Sequence, residues 1–185
     1  MAQTPSNMLP LGTRAPAFNL TDTVSGKTVS LDAAKGAKGT VVLFICNHCP
    51  YVRHINAALV RAAIDYQPRG IAFIAISSND VVNYPQDSPD QMKAHAKAEG
   101  YPFPYLYDAS QDVAKAYQAA CTPDLYLFDS KLSLVYRGQF DESRPNKGAA
   151  TGTDLRRAMD SVLAGNAVGA EQQPSVGCNI KWKSA

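Results

Sequence analysis

The sequence of 185 residues has little net charge and no long apolar run. Lys and Arg number 18 and Asp and Glu number 16, and a net charge of +2 is too small to favour nucleic acid or an anionic membrane as the main partner. No stretch approaches the ~20 apolar residues of a membrane helix, and the N-terminus lacks the basic start and apolar run of a secretory signal. We therefore expect a soluble, cytoplasmic protein that binds neither nucleic acid nor membranes.

Cysteine is also scarce, with four residues in the chain. Four cysteines in a chain of this length do not form the disulfide scaffold of a small secreted domain. A chain of this size buries roughly 70% of its unfolded surface, so it folds without such a scaffold. Two of the four lie in Cys46-Asn47-His48-Cys49. In a reducing compartment such closely spaced cysteines are more often redox-active or metal-binding than structural.

Apolar periodicity predicts alternating strands and helices. Residues 41–45 form a continuous apolar run typical of a strand buried on both faces, apolar spacings of three and four predict a helix from Pro50 to about Tyr66, and residues 71–76 form a second buried strand. This is a βαβ unit with parallel strands. The other predicted elements are helices over 88–99, 110–119 and from the capping residue Thr153, and strands over 105–107, 125–128 and 134–137.

This order of elements predicts an α/β protein with a central mixed β-sheet, helices on both faces and an N-terminal β extension. We expect one domain over residues 1–185, with its core at about 10–165. Residues 166–185 are predicted to be an extended tail packed on the body, because apolar and other residues alternate there with period two. The apolar set is Val176, Cys178, Ile180 and Trp182. Two interpretations of Cys178 remain open: a buried structural thiol, or a third redox thiol.

The cysteine pair follows a buried strand and precedes a helix. Amide groups and the dipole at a helix N-terminus stabilise a thiolate, so we expect a low pKa for Cys46 and assign it as the nucleophile. Cys49, three residues on, would resolve the mixed disulfide. A protonated His48 between them would favour the thiolate further. The C-x-x-C pair thus predicts a thiol-disulfide oxidoreductase that needs no cofactor.

Three segments of the sequence carry a family resemblance: Gly12-Thr-Arg-Ala-Pro-Ala-Phe18, Cys46-Asn-His-Cys-Pro50, and Thr122-Pro123 before the strand Asp124–Asp129. The sequence resembles the thioredoxin-like superfamily, and closely its redoxin branch related to alkyl hydroperoxide reductase and thiol-specific antioxidant (peroxiredoxin-like) proteins. The resemblance implies a thioredoxin-like fold in which Thr122 and a cis Pro123 face the cysteine pair and bind the substrate.

The same resemblance implies the partners and the residues that tune the site. The partners would be protein or small-molecule disulfides, with peroxides as a further substrate class, and a thiol reductant such as thioredoxin or glutathione. Asn47, His48 and Pro50 would tune the pair. Ile45 and Thr40 stand where thioredoxins carry a tryptophan and a buried acid, which argues against general thioredoxin activity. The sequence leaves the oligomeric state open.

Two alternative functions remain. Cys49-Pro50 matches the end of the peroxiredoxin signature, with Cys46 in place of its hydroxyl residue and Arg137 as the best available peroxide-binding arginine, so a thiol-dependent peroxidase is one alternative. The other is a copper-binding module, since Cys46, Cys49 and His54 offer soft ligands to Cu(I). A zinc site that adds Cys121 and Cys178 is disfavoured because these two are not spaced as a second pair. We expect no bound metal.

Overall fold

The computed structural model describes residues 3–184 and has ten strands and five helices within that range. The strands are β1 (Gln3–Pro5), β2 (Asn19–Asp22), β3 (Thr28–Ser30), β4 (Gly39–Phe44), β5 (Ile71–Ser77), β6 (Tyr105–Tyr107), β7 (Cys121–Thr122), β8 (Asp124–Asp129), β9 (Leu134–Arg137) and β10 (Val176–Asn179). The helices are α1 (Leu31–Ala34), α2 (Pro50–Tyr66), α3 (Pro89–Glu99), α4 (Asp112–Ala116) and α5 (Thr153–Leu163). None of the helices in residues 3–184 is long and apolar enough to cross a bilayer.

Seven strands form the central sheet in the order β3-β2-β6-β5-β4-β8-β9. Strand β5 pairs in parallel with β4 and β6, and the other neighbours are antiparallel, so the sheet is mixed as predicted. All six residues of β4 are buried. Its apolar run is continuous because both faces of the sheet are covered by helices.

The two faces of the sheet carry separate cores. We call the side covered by α2, α3 and α5 the α2 face; Val41, Leu43, Cys46 and Cys49 are buried there. The other side, the α4 face, is covered by α1, α4 and N-terminal residues, and there Val42 and Phe44 are buried. Alternation along β4 thus sends successive side chains to opposite cores, which confirms helices on both faces.

Strands β1 and β10, which lie near the two ends of the described part of the chain, form a second, three-stranded sheet with β7 in the order β1-β10-β7. Strand β10 lies antiparallel between the other two, so the predicted N-terminal extension and C-terminal tail pair with each other. Gly177 makes this approach possible, because a Cβ atom there would lie 2.0 Å from the carbonyl oxygen of Thr122. Only glycine fits such a close backbone contact.

Two local predictions need correction. Burial along the tail does not follow the predicted alternation throughout: Gly177 and Lys181 are buried, and Trp182 is 42% exposed. The Lys181 amide donates to Asn79, and its ammonium group donates to the Asn179 carbonyl, so hydrogen bonds override the apolar pattern there. At α5 the capping residue is Gly152, with φ of 73°, and Thr153 is the first helical residue.

Candidate active site

Both cysteines of the pair lie in the connection between β4 and α2. Cys49 is the N-cap of α2, and Pro50 is exposed at the first helical position, where its missing amide costs no hydrogen bond. Cys46 lies four residues before Pro50, the first helical residue, so the helix N-terminus predicted to stabilise a Cys46 thiolate lies at Cys49 instead. The thiols of Cys46 and Cys49 are both buried on the α2 face.

Thr122 contacts both sulfurs from the facing loop. The peptide bond between Thr122 and Pro123 is cis, which confirms the conformation that the resemblance implied. The Sγ of Cys49 lies 3.1 Å from the Thr122 carbonyl oxygen, and the Sγ of Cys46 lies 3.5 Å from the Thr122 hydroxyl. The loop therefore faces the pair as expected.

A third thiol reaches the pair from the C-terminal strand. Cys178 on β10 stands directly opposite Thr122 in the antiparallel register, and its Sγ lies 3.0 Å from the Sγ of Cys49. All four cysteines are free and buried. The neutral Cys49 thiol donates to Cys178, and when Cys49 is a thiolate this direction reverses and Cys178 donates to it.

The negative charge of this cluster belongs on Cys49. A hydrogen bond from Cys46 lowers the pKa of Cys49 to about 5, with burial opposing and further hydrogen bonds from Cys178 and Thr122 supporting this shift. The same bond to Cys49, then burial and the Asp87 carboxylate, raise the pKa of Cys46 well above its usual value. Burial and the bond to Cys49 raise the pKa of Cys178 to about 12. The sequence predicts the thiolate on Cys46, whereas the hydrogen bonds to Cys49 favour the negative charge on Cys49.

Asp87 anchors His48 and the backbone of the cysteine loop. Its Oδ2 lies 2.6 Å from Nδ1 of His48 and accepts from the Asn79 amide, while its Oδ1 accepts from the backbone amide of Asn47. Burial raises the pKa of Asp87, but these donors outweigh burial and hold the pKa below its usual value. The Nδ1 of His48 is 3.9 Å from the Sγ of Cys46, so its 2.6 Å contact with Asp87 is the closer of the two.

Asn47 fixes the remaining part of the loop. Its side-chain amide donates to the carbonyl of Gln86, and its Oδ1 accepts from the hydroxyl of Tyr105. Asp87, Asn79 and Tyr105 were not predicted as site residues. The sequence offered one weak signal for Asp87, its position directly before the helix start at Ser88, which is the N-cap of α3.

Arg137 does not lie at the cysteine pair, so its prediction as the peroxide-binding residue is wrong. It stands opposite Tyr126 in the β8–β9 pairing, and the Tyr126 ring is buried on the α4 face. Its guanidinium donates to the Leu9 carbonyl and to Gln172, each at 2.9 Å. Because cross-strand partners share a face, the sheet separates Arg137 from the cysteines.

The copper set predicted from sequence is not assembled. His54 Nε2 lies 2.9 Å from the hydroxyl of Ser143, in a different contact. Donor atoms of Cys46, His48 and Asp87 do lie within 4.8 Å of one another. However, the ligand atoms of His48 and Asp87 are hydrogen-bonded to each other, so a metal could bind there only after that bond broke.

Comparison with known proteins agrees with this geometry. Residues 11–137 match the AhpC/TSA family. No curated protein matches the chain.

Among solved structures, an uncharacterized conserved protein from Geobacillus kaustophilus is 55% identical, with a TM-score of 0.98 and coverage of 100% of this chain and 98% of that one. A hypothetical protein from Sinorhizobium meliloti 1021 is 50% identical, with a TM-score of 0.95 and coverage of 98% and 100%. The thioredoxin domain of a thiol-disulfide oxidoreductase from Bacteroides vulgatus, 20% identical with a TM-score of 0.63 over 80% of this chain and 97% of that one, has the same fold. The chain therefore belongs to the AhpC/TSA family of thioredoxin-like redox proteins.

Proposed function

We propose that the protein is a thiol-disulfide oxidoreductase whose redox pair is the C-x-x-C pair Cys46 and Cys49. The observation that carries this proposal is the cluster of hydrogen-bonded thiols that lowers the pKa of Cys49 to about 5. The adjacent Thr122-Pro123 loop supports it, since Thr122 contacts both sulfurs. Thiolate character and a second thiol within reach are the two requirements of disulfide exchange.

Cys46 is the sulfur that substrates meet in this proposal, and Cys49 is the resolving sulfur. Both sulfurs are buried, but the Sγ of Cys46 contacts the ring of half-buried His48, whereas the Sγ of Cys49 contacts the buried residues Thr122 and Cys178. This contact with a half-buried side chain, rather than a low pKa, is the reason to assign substrate contact to Cys46. The low pKa of Cys49 suits a resolving or leaving group.

The reaction transfers two electrons between a substrate dithiol and the protein disulfide. A substrate thiolate attacks Cys46, the Cys46–Cys49 bond breaks, and Cys49 leaves as a thiolate. The second substrate thiolate then attacks the mixed disulfide, which releases the substrate disulfide and the Cys46 thiol. The two protons of the substrate thiols go to Cys46 and to solvent. In the reverse direction, Cys46 attacks a substrate disulfide to form a mixed disulfide. The Cys49 thiolate then attacks this mixed disulfide at Cys46 and releases the substrate thiol.

The charge distribution favours oxidation of substrates over their reduction. A thiol of low pKa is the better leaving group, and a stabilised thiolate makes the reduced protein more stable. The disulfide form should therefore be a comparatively strong oxidant. The partners are dithiols and disulfides of proteins or small molecules, exchanged with the thioredoxin or glutathione pools.

Equilibration of the protein with glutathione redox buffers tests the proposal. We expect a Cys46–Cys49 potential more positive than about −200 mV, toward the strongly oxidising end of the scale rather than the thioredoxin value of about −270 mV. Cys49→Ser should abolish dithiol oxidation, Cys46→Ser should lose most of it because substrates then meet only Cys49, and Cys121→Ala should retain it. A potential at or below the thioredoxin value would contradict the oxidising direction, and full activity of either serine variant would contradict the redox pair.

Peroxide reduction is a second candidate, favoured by the thiolate at Cys49-Pro50. That thiolate would attack a peroxide oxygen to give a sulfenic acid and an alkoxide or hydroxide, and the Cys46 thiol would then form the disulfide and release water. Arg137 is bound elsewhere and cannot hold the peroxide. We therefore expect oxidation of the pair by disulfides to be faster than oxidation by hydrogen peroxide at equal concentration; the opposite ranking would establish the peroxidase.

A further inference from the structure

The C-terminal strand delivers a third thiol to the sulfur that the proposed mechanism uses for resolution. The Sγ atoms of Cys178 and Cys49 are 3.0 Å apart. A disulfide needs a sulfur separation of about 2.05 Å, so a shift of about 1 Å would allow a bond. This contact joins residues 129 positions apart in the chain, and it brings together two nucleophilic groups instead of leaving Cys178 among apolar atoms alone.

We propose that Cys178 is a third redox residue, which forms a disulfide with Cys49 by internal exchange with the Cys46–Cys49 disulfide. The inference rests on the proposed exchange at Cys46 and Cys49, whose substrate disulfide supplies the oxidant. The Cys178 sulfur attacks Cys49 in the Cys46–Cys49 disulfide. The Cys49–Cys178 bond forms, the Cys46–Cys49 bond breaks, and Cys46 takes up the proton that Cys178 gives up. No net electron transfer occurs, and Cys46 becomes free for another substrate.

Three features hold Cys178 in position for this step. Strand β10 is fixed on both edges, with Cys178 opposite Gln3 of β1 and opposite Thr122 of β7. Gly177 permits the close approach of the strand to the Thr122 carbonyl. Thr122 in turn contacts the sulfurs of Cys46 and Cys49 and pairs with Cys178 in the sheet, so one residue fixes the relative positions of all three cysteines.

Proximity offsets the low acidity of the Cys178 thiol. Burial raises the pKa of this thiol, and in the reduced protein Cys49 raises it further, to about 12; the contribution of Cys49 is absent once Cys49 is in the disulfide. Even at the value of the reduced protein, roughly one molecule in 10⁵ carries the thiolate at pH 7. Groups held in contact react as if present at about 10⁵–10⁸ M, so the product of the two factors is still about 1 M or more. Cys121 serves as the comparison, because burial and the nearby Asp124 carboxylate raise its pKa further, and its Sγ contacts the Pro123 carbonyl instead of a sulfur.

The experiment removes the Cys46 thiol and then identifies the group that resolves a mixed disulfide formed on Cys49. The variant Cys46→Ser keeps a hydrogen-bond donor at position 46 but cannot form the first disulfide. It is treated with oxidised glutathione, quenched in acid and mapped by mass spectrometry. We expect a Cys49–Cys178 disulfide and a glutathione adduct on Cys49 at least tenfold shorter-lived than in Cys46→Ser/Cys178→Ser. Cys46→Ser/Cys121→Ala is the matched control and should behave as Cys46→Ser does.

A persistent adduct on Cys49 with Cys178 free in the Cys46→Ser variant would overturn the proposal. Mapping of the oxidised wild-type chain provides the second measurement if that variant does not fold: both disulfides are expected, and absence of the Cys49–Cys178 peptide would also overturn the proposal. The Cys178→Ser variant separates the two hypotheses. Its failure to form the Cys46–Cys49 disulfide would refute the proposed function instead.

Discussion

Individual side chains decide which sulfur of the site is negatively charged. Helix position alone favours Cys49, the N-cap of α2, because anions are stabilised at a helix N-terminus. Asp87 acts in the same direction, since its carboxylate raises the pKa of Cys46. The pair therefore titrates in two separate steps whose pKa values belong to the coupled pair, and hydrogen bonds favour the charge of the first step on Cys49.

Substitution of Asp87 should change the pH at which the second titration step of the cysteine pair occurs. Asp87→Asn keeps an acceptor oxygen but removes the negative charge near Cys46, so we expect the second rise in thiolate absorbance to shift to lower pH. The first step should move less, because the hydrogen bond from Cys46 is its main cause. A pH titration of thiolate absorbance in the reduced protein measures both steps.

The opposite shift is expected for His48→Ala. Without the imidazole, the buried Asp87 carboxylate loses its 2.6 Å partner and its charge acts on Cys46 unopposed, so the second step should move to higher pH. Asp90→Asn, at an exposed position in the first turn of α3, is the matched control and should leave both steps in place. Equal shifts in the two site variants would show that the charge of Asp87 does not control Cys46.

Among the secondary-structure elements, β10 makes a backbone contact that only glycine allows. It inserts between β1 and β7, and at Gly177 an added Cβ atom would collide with backbone atoms of Thr122, which cannot rotate away as a flexible side chain can. Because Cys178 directly follows Gly177, the position of β10 determines the position of the Cys178 thiol.

Gly177→Ala should displace β10 and separate the thiols. Overpacking of this kind costs about 1–3 kcal/mol of unfolding free energy, and we expect at least a tenfold fall in Cys49–Cys178 disulfide in the Cys46→Ser background. Gly169→Ala is the control, since a methyl group at Gly169 would meet no atom within 4 Å. Denaturant unfolding and disulfide mapping check the two effects. An unchanged disulfide yield in a destabilised Gly177→Ala protein would mean that the strand does not position Cys178.

For the whole molecule, local patterns predicted the elements well and tertiary contacts poorly. The bounds of α2, β6 and β9 agree with the prediction because apolar spacing reports directly on which side chains are buried. The cysteine pair and the cis Pro123 could likewise be recognised from short motifs. Asp87 could not, because its role depends on a loop that folds over the pair from another part of the chain. Arg137 was misplaced because no motif reports which face of the sheet its side chain occupies.

Two buried carboxyl groups, Asp87 and Asp124, affect acid stability in opposite directions. The pKa of Asp87 is lowered in the folded protein, so its ionised carboxylate stabilises the fold at pH values above the unfolded-state pKa. This stability is lost as the pH falls through the pKa of Asp87 in the folded protein. For Asp124, burial raises the pKa to about 6, so its folded form binds a proton more readily than its unfolded form. Its stabilising effect is therefore complete at low pH and is lost as the pH rises from about 4 to about 6.

Asp124→Asn should remove that loss and stabilise the protein at neutral pH. The amide oxygen can still accept from the Ala120 amide, as the Asp124 carboxylate does. A shift from 3.8 to about 6 corresponds to a gain of up to about 3 kcal/mol above pH 6, which should shrink to near zero below pH 4. Denaturant unfolding between pH 3 and 8 measures it, with Glu142→Gln at an exposed position as the control. A difference that does not change with pH would assign the effect to packing, since only loss of a titrating charge gives this slope.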